Sequence, residues 1–291
     1  MPISTPTGSP AAVEMLTDFS LEMTGRDVPA LHEAAPMIPP GTRVNVTFLG
    51  HEDPALRVAA ARAVREHGFV PVPHVSARRL RSPGELDAFL AHLAEAGAAE
   101  EVLVVGGDPA TPQGPYEDAL AVIRSGVLQR HGVRGVGIGG YPEGHPAVDD
   151  DVLWSALAAK TAALREQGLE ATVITQFGFD TAPVLSWLAE ARRRGIDAPV
   201  RIGVPGPAGV RRLLGHARRF GVATSAGIAQ KYGFSLTHLL GTAGPDRFLH
   251  DLAAGCDAGV HGPVRLHFYT FGGLGATAGW VRQFGGERVA S

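Results

Sequence analysis

Two acidic residues stand beside apolar runs that predict buried strands. Glu22 lies within Ser-Leu-Glu-Met (20–23), and Asp108 ends Val-Val-Gly-Gly-Asp (104–108). Burial disfavours the charged form of a carboxyl group, so Glu22 is a candidate proton donor, whereas Asp108 at a glycine-rich loop is expected to stay hydrated and ionised. Two acids in unlike surroundings can divide one reaction, the first giving a proton and the second stabilising positive charge. The competing interpretation is an exposed strand tip at Glu22 with no chemical role.

Further polar residues lie at or near the ends of the other predicted strands. A lone histidine or tyrosine there is more often structural than catalytic, because buried polar groups generally form hydrogen bonds. Several together carry more weight, since the carboxyl ends of parallel strands form the active-site face of an α/β barrel. These residues are Thr47, His74, Tyr141, His145, Gln176, Tyr269 and Thr270.

Eight short apolar runs must position these side chains. They are rich in Val, Ile and Leu rather than alternating with polar residues, which is typical of parallel strands buried on both faces. Segments of helical period lie between most of them, and most of these close with glycine. This alternation predicts an α/β fold, a (β/α)8 TIM barrel, with an open doubly wound sheet as the alternative. The runs span 18–23, 43–48, 69–75, 101–107, 135–142, 171–179, 200–206 and 266–271, and the helical segments 56–68, 85–97, 116–132, 151–168, 183–195 and 210–221.

The domain organisation predicted from the chain is simple. Residues 1–16 are expected to form a flexible N-terminal tail and residues 17–291 a single TIM-barrel catalytic domain, because no Ser/Gly-rich linker interrupts the body. The stretch 225–241 predicts an extra helix inserted ahead of the last barrel helix.

Composition excludes several classes of function. The 291 residues are 45% hydrophobic with a formal net charge of −3, so neither a nucleic acid nor a membrane surface is an expected partner. No apolar stretch approaches the roughly 20 residues of a membrane span, and no signal peptide is evident, so a cytoplasmic location is expected. With the single cysteine Cys256 and no paired histidine spacing, no metal site is expected.

The sequence also argues against a Rossmann dinucleotide-binding motif and a serine hydrolase motif. The run Gly-Val-Gly-Ile-Gly-Gly (135–140) matches a dinucleotide-binding pattern, but it runs along a strand instead of following one into a helix. No G-x-S-x-G elbow is present, so a serine hydrolase would lack its nucleophile.

The polar strand ends stand in motifs that resemble those of methylenetetrahydrofolate reductases. The likeness extends over about residues 18–284, with the motifs in the same order. The more specific ones are Tyr-Pro-Glu-Gly-His-Pro (141–146) and Thr-Gln-Phe-Gly-Phe-Asp (175–180). The others are Ser-Leu-Glu-Met, Val-Thr-Phe (46–48), Pro-Val-Pro-His-Val-Ser (71–76), Val-Val-Gly-Gly-Asp and His-Phe-Tyr-Thr-Phe (267–271).

The resemblance implies a reaction and roles for three groups of residues. Such enzymes open the one-carbon bridge of 5,10-methylenetetrahydrofolate and deliver hydride to the carbon, giving 5-methyltetrahydrofolate. Ring opening needs a proton on the leaving nitrogen, and the resemblance makes Glu22 its donor. Asp108 would hold the pterin and favour the cationic intermediate, with Gln176 and Tyr269 as further substrate-binding residues.

Departures from the family pattern concern its usual FAD. Gly106 stands where the family has an arginine, and Leu153 and Ala156 where it has Asp and Asn, so only Lys160 survives of that helix's contacts. Apolar residues cannot replace hydrogen bonds and charge to a dinucleotide. We therefore expect direct hydride transfer from NADH or NADPH, with an FAD-dependent ping-pong route as the alternative. The expected cofactor-binding residues are Thr47, His74, Gly107, Tyr141, His145 and Lys160.

Other points stay open at this level. Gly273 stands where the family often has an arginine for the folate glutamate tail, which leaves Lys231 or Arg282 for that role. A folate-binding methyl-transfer or demethylation protein on the same barrel is a rival interpretation, and a non-catalytic barrel is another. Since the family is commonly oligomeric, a homo-oligomer is expected.

Overall fold

Eight parallel strands close into a barrel in the computed structural model, which describes residues 8–50, 52–209, 211–213, 215 and 242–286. Around the barrel the strands follow the order β1-β10-β7-β6-β5-β4-β3-β2, and β1 pairs with both β10 and β2. The (β/α)8 barrel is confirmed and the open sheet is wrong. The barrel strands are β1 (Ser20–Thr24), β2 (Arg43–Thr47), β3 (Val70–Ser76), β4 (Glu101–Val105), β5 (Gly135–Gly140), β6 (Glu170–Phe177), β7 (Val200–Pro205) and β10 (Val264–Tyr269), and a separate antiparallel pair joins β8 (Ala208–Gly209) to β9 (Thr242–Ala243).

Helices fill the connections, and their ends follow local chemistry. The Asp53 side chain accepts a hydrogen bond from the Ala55 amide at 2.9 Å, which caps α3. The segment 116–132, predicted as one helix, is two, because Gly126 adopts a left-handed φ of 69° between them. The helices are α1 (Pro10–Glu14), α2 (Val28–Ala34), α3 (Pro54–Glu66), α4 (Pro83–Glu95), α5 (Ala119–Arg124), α6 (Val127–Arg130), α7 (Asp150–Glu166), α8 (Thr181–Arg193), α9 (Asp246–Gly255), α10 (Ala258–His261) and α11 (Leu274–Gly285).

The beginning of the chain packs more tightly than its composition suggested. Within the stretch expected to be a flexible tail, α1 contacts α9, and Ala12, Val13 and Leu16 are buried. Burial of these apolar side chains provides the driving force that a floppy segment would lack. The extra helix predicted over 225–241 and most of the helix predicted over 210–221 lie outside the described residues. Within the described ranges, no helix is both long and apolar enough to cross a membrane.

The two faces of the strands differ in chemistry. Outward side chains such as Val44, Ile202 and Phe268 are fully buried against the helices and form the main core. The inward face carries a small separate apolar cluster of Val72, Leu103 and Ile174 among the described residues. Much of the remaining interior is polar or glycine, so the barrel can hold ionisable groups away from water.

Ion pairs line the amino-terminal end of the barrel. Arg43 bonds Glu101 through two nitrogens at 2.8 and 2.9 Å, and the buried Arg201 bonds both carboxylate oxygens of Asp18 at 2.9 Å. A cavity of about 200 Å³ opens beside these pairs and reaches the buried side chain of Asn45. The charged groups at this end are therefore largely committed to each other.

The buried His74 predicts acid sensitivity. Burial lowers the pKa of His74 to about 4, against the opposing pull of Glu22. Because the unfolded chain binds this proton near pH 6.5 and the folded one does not, stability falls as the pH drops from 6.5 toward 4. Between pH 7 and 4, wild type should lose about 3 kcal/mol more unfolding free energy than His74→Gln in urea titrations. Parallel pH curves for the two proteins would contradict this assignment.

The register shift between β6 and β7 predicts a strict need for glycine. Around Ile174 and Phe177 the ladder is irregular, and a Cβ on Gly203 would lie 2.5 Å from the Thr175 carbonyl oxygen. Backbone cannot yield as a side chain can, so Gly203→Ala should cost about 2–3 kcal/mol in urea unfolding. Gly106→Ala is the control, because a Cβ there meets nothing within 4 Å. Equal stability of the two variants would count against the tight register.

Candidate functional site

Glu22 lies at the centre of a group of side chains inside the barrel. Its Oε2 is 3.7 Å from Nε2 of His267 on β10 and 4.0 Å from Nε2 of His74 on β3. The Glu22 side chain is 20% exposed, whereas His267 is fully buried and His74 nearly so. Both Nε2 atoms lack a hydrogen-bond partner among the described residues. One carboxyl oxygen is therefore faced by two buried ring nitrogens.

Strand alternation places these groups on one side. Successive side chains point to opposite faces of a strand, so Ser20 accompanies Glu22, and His267 accompanies Tyr269. Ser20 and His267 are register partners across β1 and β10, and Ser20 Oγ lies 2.9 Å from His267 Nδ1. Sequence reasoning missed both residues, although this period-two alternation within the recognised motifs could have found them.

The buried Arg57 forms a hydrogen bond to the main chain of His74. Arg57 on α3 donates from Nη1 to the His74 carbonyl oxygen at 2.8 Å, and its guanidinium stacks at 4.3 Å on Phe48 and 4.5 Å on Phe89. Burial lowers the pKa of Arg57 to about 10, against the pull of Glu52 and Glu85. Arg57 remains charged at neutral pH. The sequence signal was an arginine among the alanines of the core-facing side of α3.

Two tyrosines complete the inner wall. Tyr269 donates from its hydroxyl to the Thr175 carbonyl oxygen at 3.1 Å. Burial raises the pKa of Tyr269 well above its ordinary value, and its electrostatic interactions with Glu22 and Tyr141 act in the same direction. Burial likewise raises the pKa of Tyr141, whose ring meets His145 edge to face at 5.4 Å. Tyr269 and Glu22 thus lie within electrostatic range of each other.

Asp108 lies on an exposed loop beyond β4. Its side chain is 76% exposed, and the guanidinium of Arg79 holds it with two hydrogen bonds of 2.7 Å. Arg79 also donates to the Gly50 carbonyl oxygen at 2.8 Å. The expected hydration agrees with this exposure, but Asp108 shares its charge with a cation that sequence reasoning did not identify. Its strand is also not a neighbour of β1, because β2 and β3 lie between them.

Three further predicted residues sit at the carboxyl-terminal end of the barrel. Thr47 ends β2 and is partly exposed, and Gln176 lies in the irregular part of β6. Gly107 has a φ of 94°, and a Cβ there would collide with Ser76 Oγ. A glycine is therefore required at the turn that leads into Asp108.

Helix α7 carries Lys160 and Leu153, at positions that contact the flavin in the family that the sequence resembles. Lys160 is partly buried on α7, and burial lowers its pKa while Asp118 opposes the shift. Leu153 lines a small cavity with Trp154 and Trp187, whose rings stack at 5.4 Å. This part of α7 therefore presents a largely apolar lining and a lysine that is partly withdrawn from water.

Glu52 is a further buried acid, and the sequence analysis did not identify it. It is 7% exposed, and neither carboxylate oxygen has a hydrogen-bond partner within the described part of the chain. It packs against Gly25, where a Cβ would lie 2.9 Å from Glu52 Oε1, and it is close enough to Arg57 to raise that group's pKa. Its sequence surroundings read as an ordinary loop before α3, so nothing marked it as buried.

The metal site and the residue that binds the folate tail are the remaining points raised by the sequence. In the described part of the chain, no group of three or more His, Cys, Asp or Glu side chains is placed to hold a metal ion. Arg282 is exposed in the last turn of α11, which ends at the amino-terminal side of the barrel. The structure therefore does not bring Arg282 to the carboxyl-terminal end, where the folate tail was expected. Lys231 falls outside the described residues.

Comparison with known proteins shows the fold. No family model matches the chain. Among solved structures it is similar to an uncharacterized protein from Clostridium thermocellum that binds two copies of 5-methyl-5,6,7,8-tetrahydrofolic acid, with a TM-score of 0.65 and 9% identity over 92% of this chain and 94% of that one. It also aligns with dihydropteroate synthase from Thermus thermophilus, with a TM-score of 0.49 and 15% identity over 91% of this chain and 92% of that one. At such low identity, the first likeness shows a shared barrel fold.

Proposed function

We propose that this protein binds a reduced folate at the carboxyl-terminal end of the barrel and reduces 5,10-methylenetetrahydrofolate to 5-methyltetrahydrofolate with NAD(P)H, without flavin. The observation that carries the proposal is the position of Glu22, a partly sheltered carboxyl group faced by the uncharged His74, with His267 and Tyr269 beside it. The reductase motifs that surround these residues support it. So does the Clostridium thermocellum protein of similar fold, which binds a methylated tetrahydrofolate.

In the proposed reaction Glu22 acts as the general acid. Its proton goes to the folate nitrogen that leaves the one-carbon bridge, that carbon–nitrogen bond breaks, and the positive charge moves to the iminium formed with the other nitrogen. NAD(P)H, when bound, supplies the hydride that the carbon accepts. Gln176 and Tyr269 would orient the pterin. Asp108, which shares its charge with Arg79, would hold the pterin and stabilise the cation from the loop.

The cofactor assignment follows from what the barrel offers. Thr47, Gly107, Tyr141 and His145 border the carboxyl-terminal end and are proposed to face the nicotinamide cofactor. His74 is better assigned to the support of Glu22, because its ring is buried against that acid. The poor fit of α7 to a flavin makes the FAD route the weaker alternative.

A methyl-transfer protein is the second candidate function. It is favoured by the fold neighbour, which binds 5-methyl-5,6,7,8-tetrahydrofolic acid, the methylated folate that a methyl-transfer protein would handle. Such a protein would keep the pterin contacts and would not need Glu22 as an acid.

Removal of the acid should separate chemistry from binding. Glu22→Gln keeps the shape of the side chain but has no proton to give, so kcat for NAD(P)H oxidation should fall by about 10²–10⁴-fold. Calorimetry should find folate affinity within about threefold of wild type. Glu33→Gln, at an exposed acid on α2, is the matched control and should keep full activity. A Glu22→Gln enzyme with a near-normal rate would remove Glu22 from the mechanism.

The choice of hydride route can be read from the purified protein. We expect no absorption near 450 nm, and we expect NADH or NADPH oxidation when 5,10-methylenetetrahydrofolate is added. Stoichiometric flavin would favour the ping-pong route. An absence of NAD(P)H oxidation together with methyl transfer from 5-methyltetrahydrofolate would favour the second candidate.

A further inference from the structure

Ser20 contacts the ring of His267 on the side opposite to Glu22. Ser20 Oγ lies 2.9 Å from His267 Nδ1 and 3.4 Å from the Leu266 carbonyl oxygen, and both side chains are fully buried. The opposite ring nitrogen of His267 has no hydrogen-bond partner in the described ranges and points at Glu22 Oε2 from 3.7 Å. Ser20, His267 and Glu22 therefore form a line of contacts that ends at the proposed acid.

The hydrogen bonds available to Ser20 favour one tautomer of His267. A serine hydroxyl has one proton to donate, and a neutral imidazole has one ring N–H. If Ser20 donates to the Leu266 carbonyl, its oxygen is free to accept from Nδ1–H of His267, and both contacts are satisfied. If Ser20 instead donates to Nδ1, only one of the two is made. The first arrangement leaves the lone pair of His267 Nε2 facing Glu22.

We propose that His267, held by Ser20 as the Nδ1–H tautomer, is a positioning residue that accepts a hydrogen bond from the proton-bearing oxygen of Glu22 and keeps this acid protonated and oriented until it reacts. The inference rests on the proposed reductase function, since it assigns a partner to the general acid. An acceptor stabilises a protonated carboxyl, which can donate, and gives nothing to a carboxylate, which can only accept. Closing the 3.7 Å gap to hydrogen-bond length needs a movement of about 1 Å, which is common when a substrate binds.

Among the groups around Glu22, His267 makes the shorter approach, and Ser20 contacts its other ring nitrogen. The Tyr269 hydroxyl is committed to the Thr175 carbonyl oxygen. His74 Nε2 approaches the same Glu22 oxygen from 4.0 Å, and Arg57 bonds the main chain of His74 rather than the carboxyl group. Among the described residues, the ionisable groups that face Glu22 are thus two histidines and one tyrosine. None of them carries a fixed positive charge that would hold Glu22 as an anion.

The tautomer can be observed without any assay of activity. In two-bond ¹H–¹⁵N spectra of uniformly labelled protein near pH 7, the signals lost in His267→Phe identify His267. We expect the Nδ1–H pattern in wild type. We expect conversion to the Nε2–H pattern in Ser20→Ala, because Nδ1 then loses its acceptor. A wild-type spectrum with Nε2–H would overturn the proposal, even if the protein proves to be a reductase.

Kinetics test the consequence for Glu22. In Ser20→Ala the acid should lose its proton at lower pH, so the alkaline limb of the kcat–pH profile should move down by about one unit. At pH values above the wild-type alkaline limb, kcat should fall about tenfold, while KM for the folate stays within about twofold. Thr161→Ala, which removes a buried hydroxyl from α7, is the control and should keep the wild-type profile.

The outcomes separate the two proposals. An unshifted alkaline limb in Ser20→Ala would overturn the role of His267 while the reductase assignment stands. The expected tautomer in a protein without reductase activity would sink the proposed function and, with it, the role of His267 in that reaction. If His267→Phe does not fold, the Ser20→Ala difference spectrum identifies the same signals, so the decision does not depend on that variant.

Discussion

The interior of the barrel depends on how one carboxyl group is accommodated beside two buried histidines. An ionised acid inside a protein is costly unless a cation or several donors surround it. Glu22 is faced by two imidazoles, and burial keeps the pKa of one of them, His74, at about 4. Among the described residues, the ion-pair partners within reach of the Glu22 carboxyl group are these two imidazoles, and the proposed role of Glu22 as an acid rests on this arrangement.

Neighbouring residues hold His74 and His267 in place. Arg57 is a charge buried behind β3, and its bond to the His74 carbonyl together with two stacked phenylalanines ties α3 and α4 to the strand that carries His74. On the other side, Ser20 links β1 to β10 through His267. The described arginines in this part of the molecule, Arg57 and Arg79, therefore act on the backbone or on another acid rather than on Glu22.

The sequence predicted the fold well because a parallel barrel repeats one pattern. Runs rich in Val and Ile separated by glycine-capped helices gave nearly all the barrel elements, and strand ends gave Glu22, His74 and Tyr269. What escaped prediction depends on contacts between distant segments. Arg79 and Asp108 are 29 positions apart, and Ser20 and His267 are 247 apart, so neither pair is visible in local periodicity. The separation of Glu22 from Asp108 likewise depends on strand order around the closed barrel, where β2 and β3 lie between their strands.

Arg79 has a consequence for how the loops of this protein behave together. One guanidinium holds Asp108 after β4 and the Gly50 carbonyl after β2, while Arg79 itself follows β3. The loops after β2, β3 and β4 are thus joined by the hydrogen bonds of one arginine. If a bound molecule draws Asp108 away from Arg79 and thereby changes the order of the β2 loop, thermodynamic linkage requires the order of that loop to change the affinity for the molecule by the same factor.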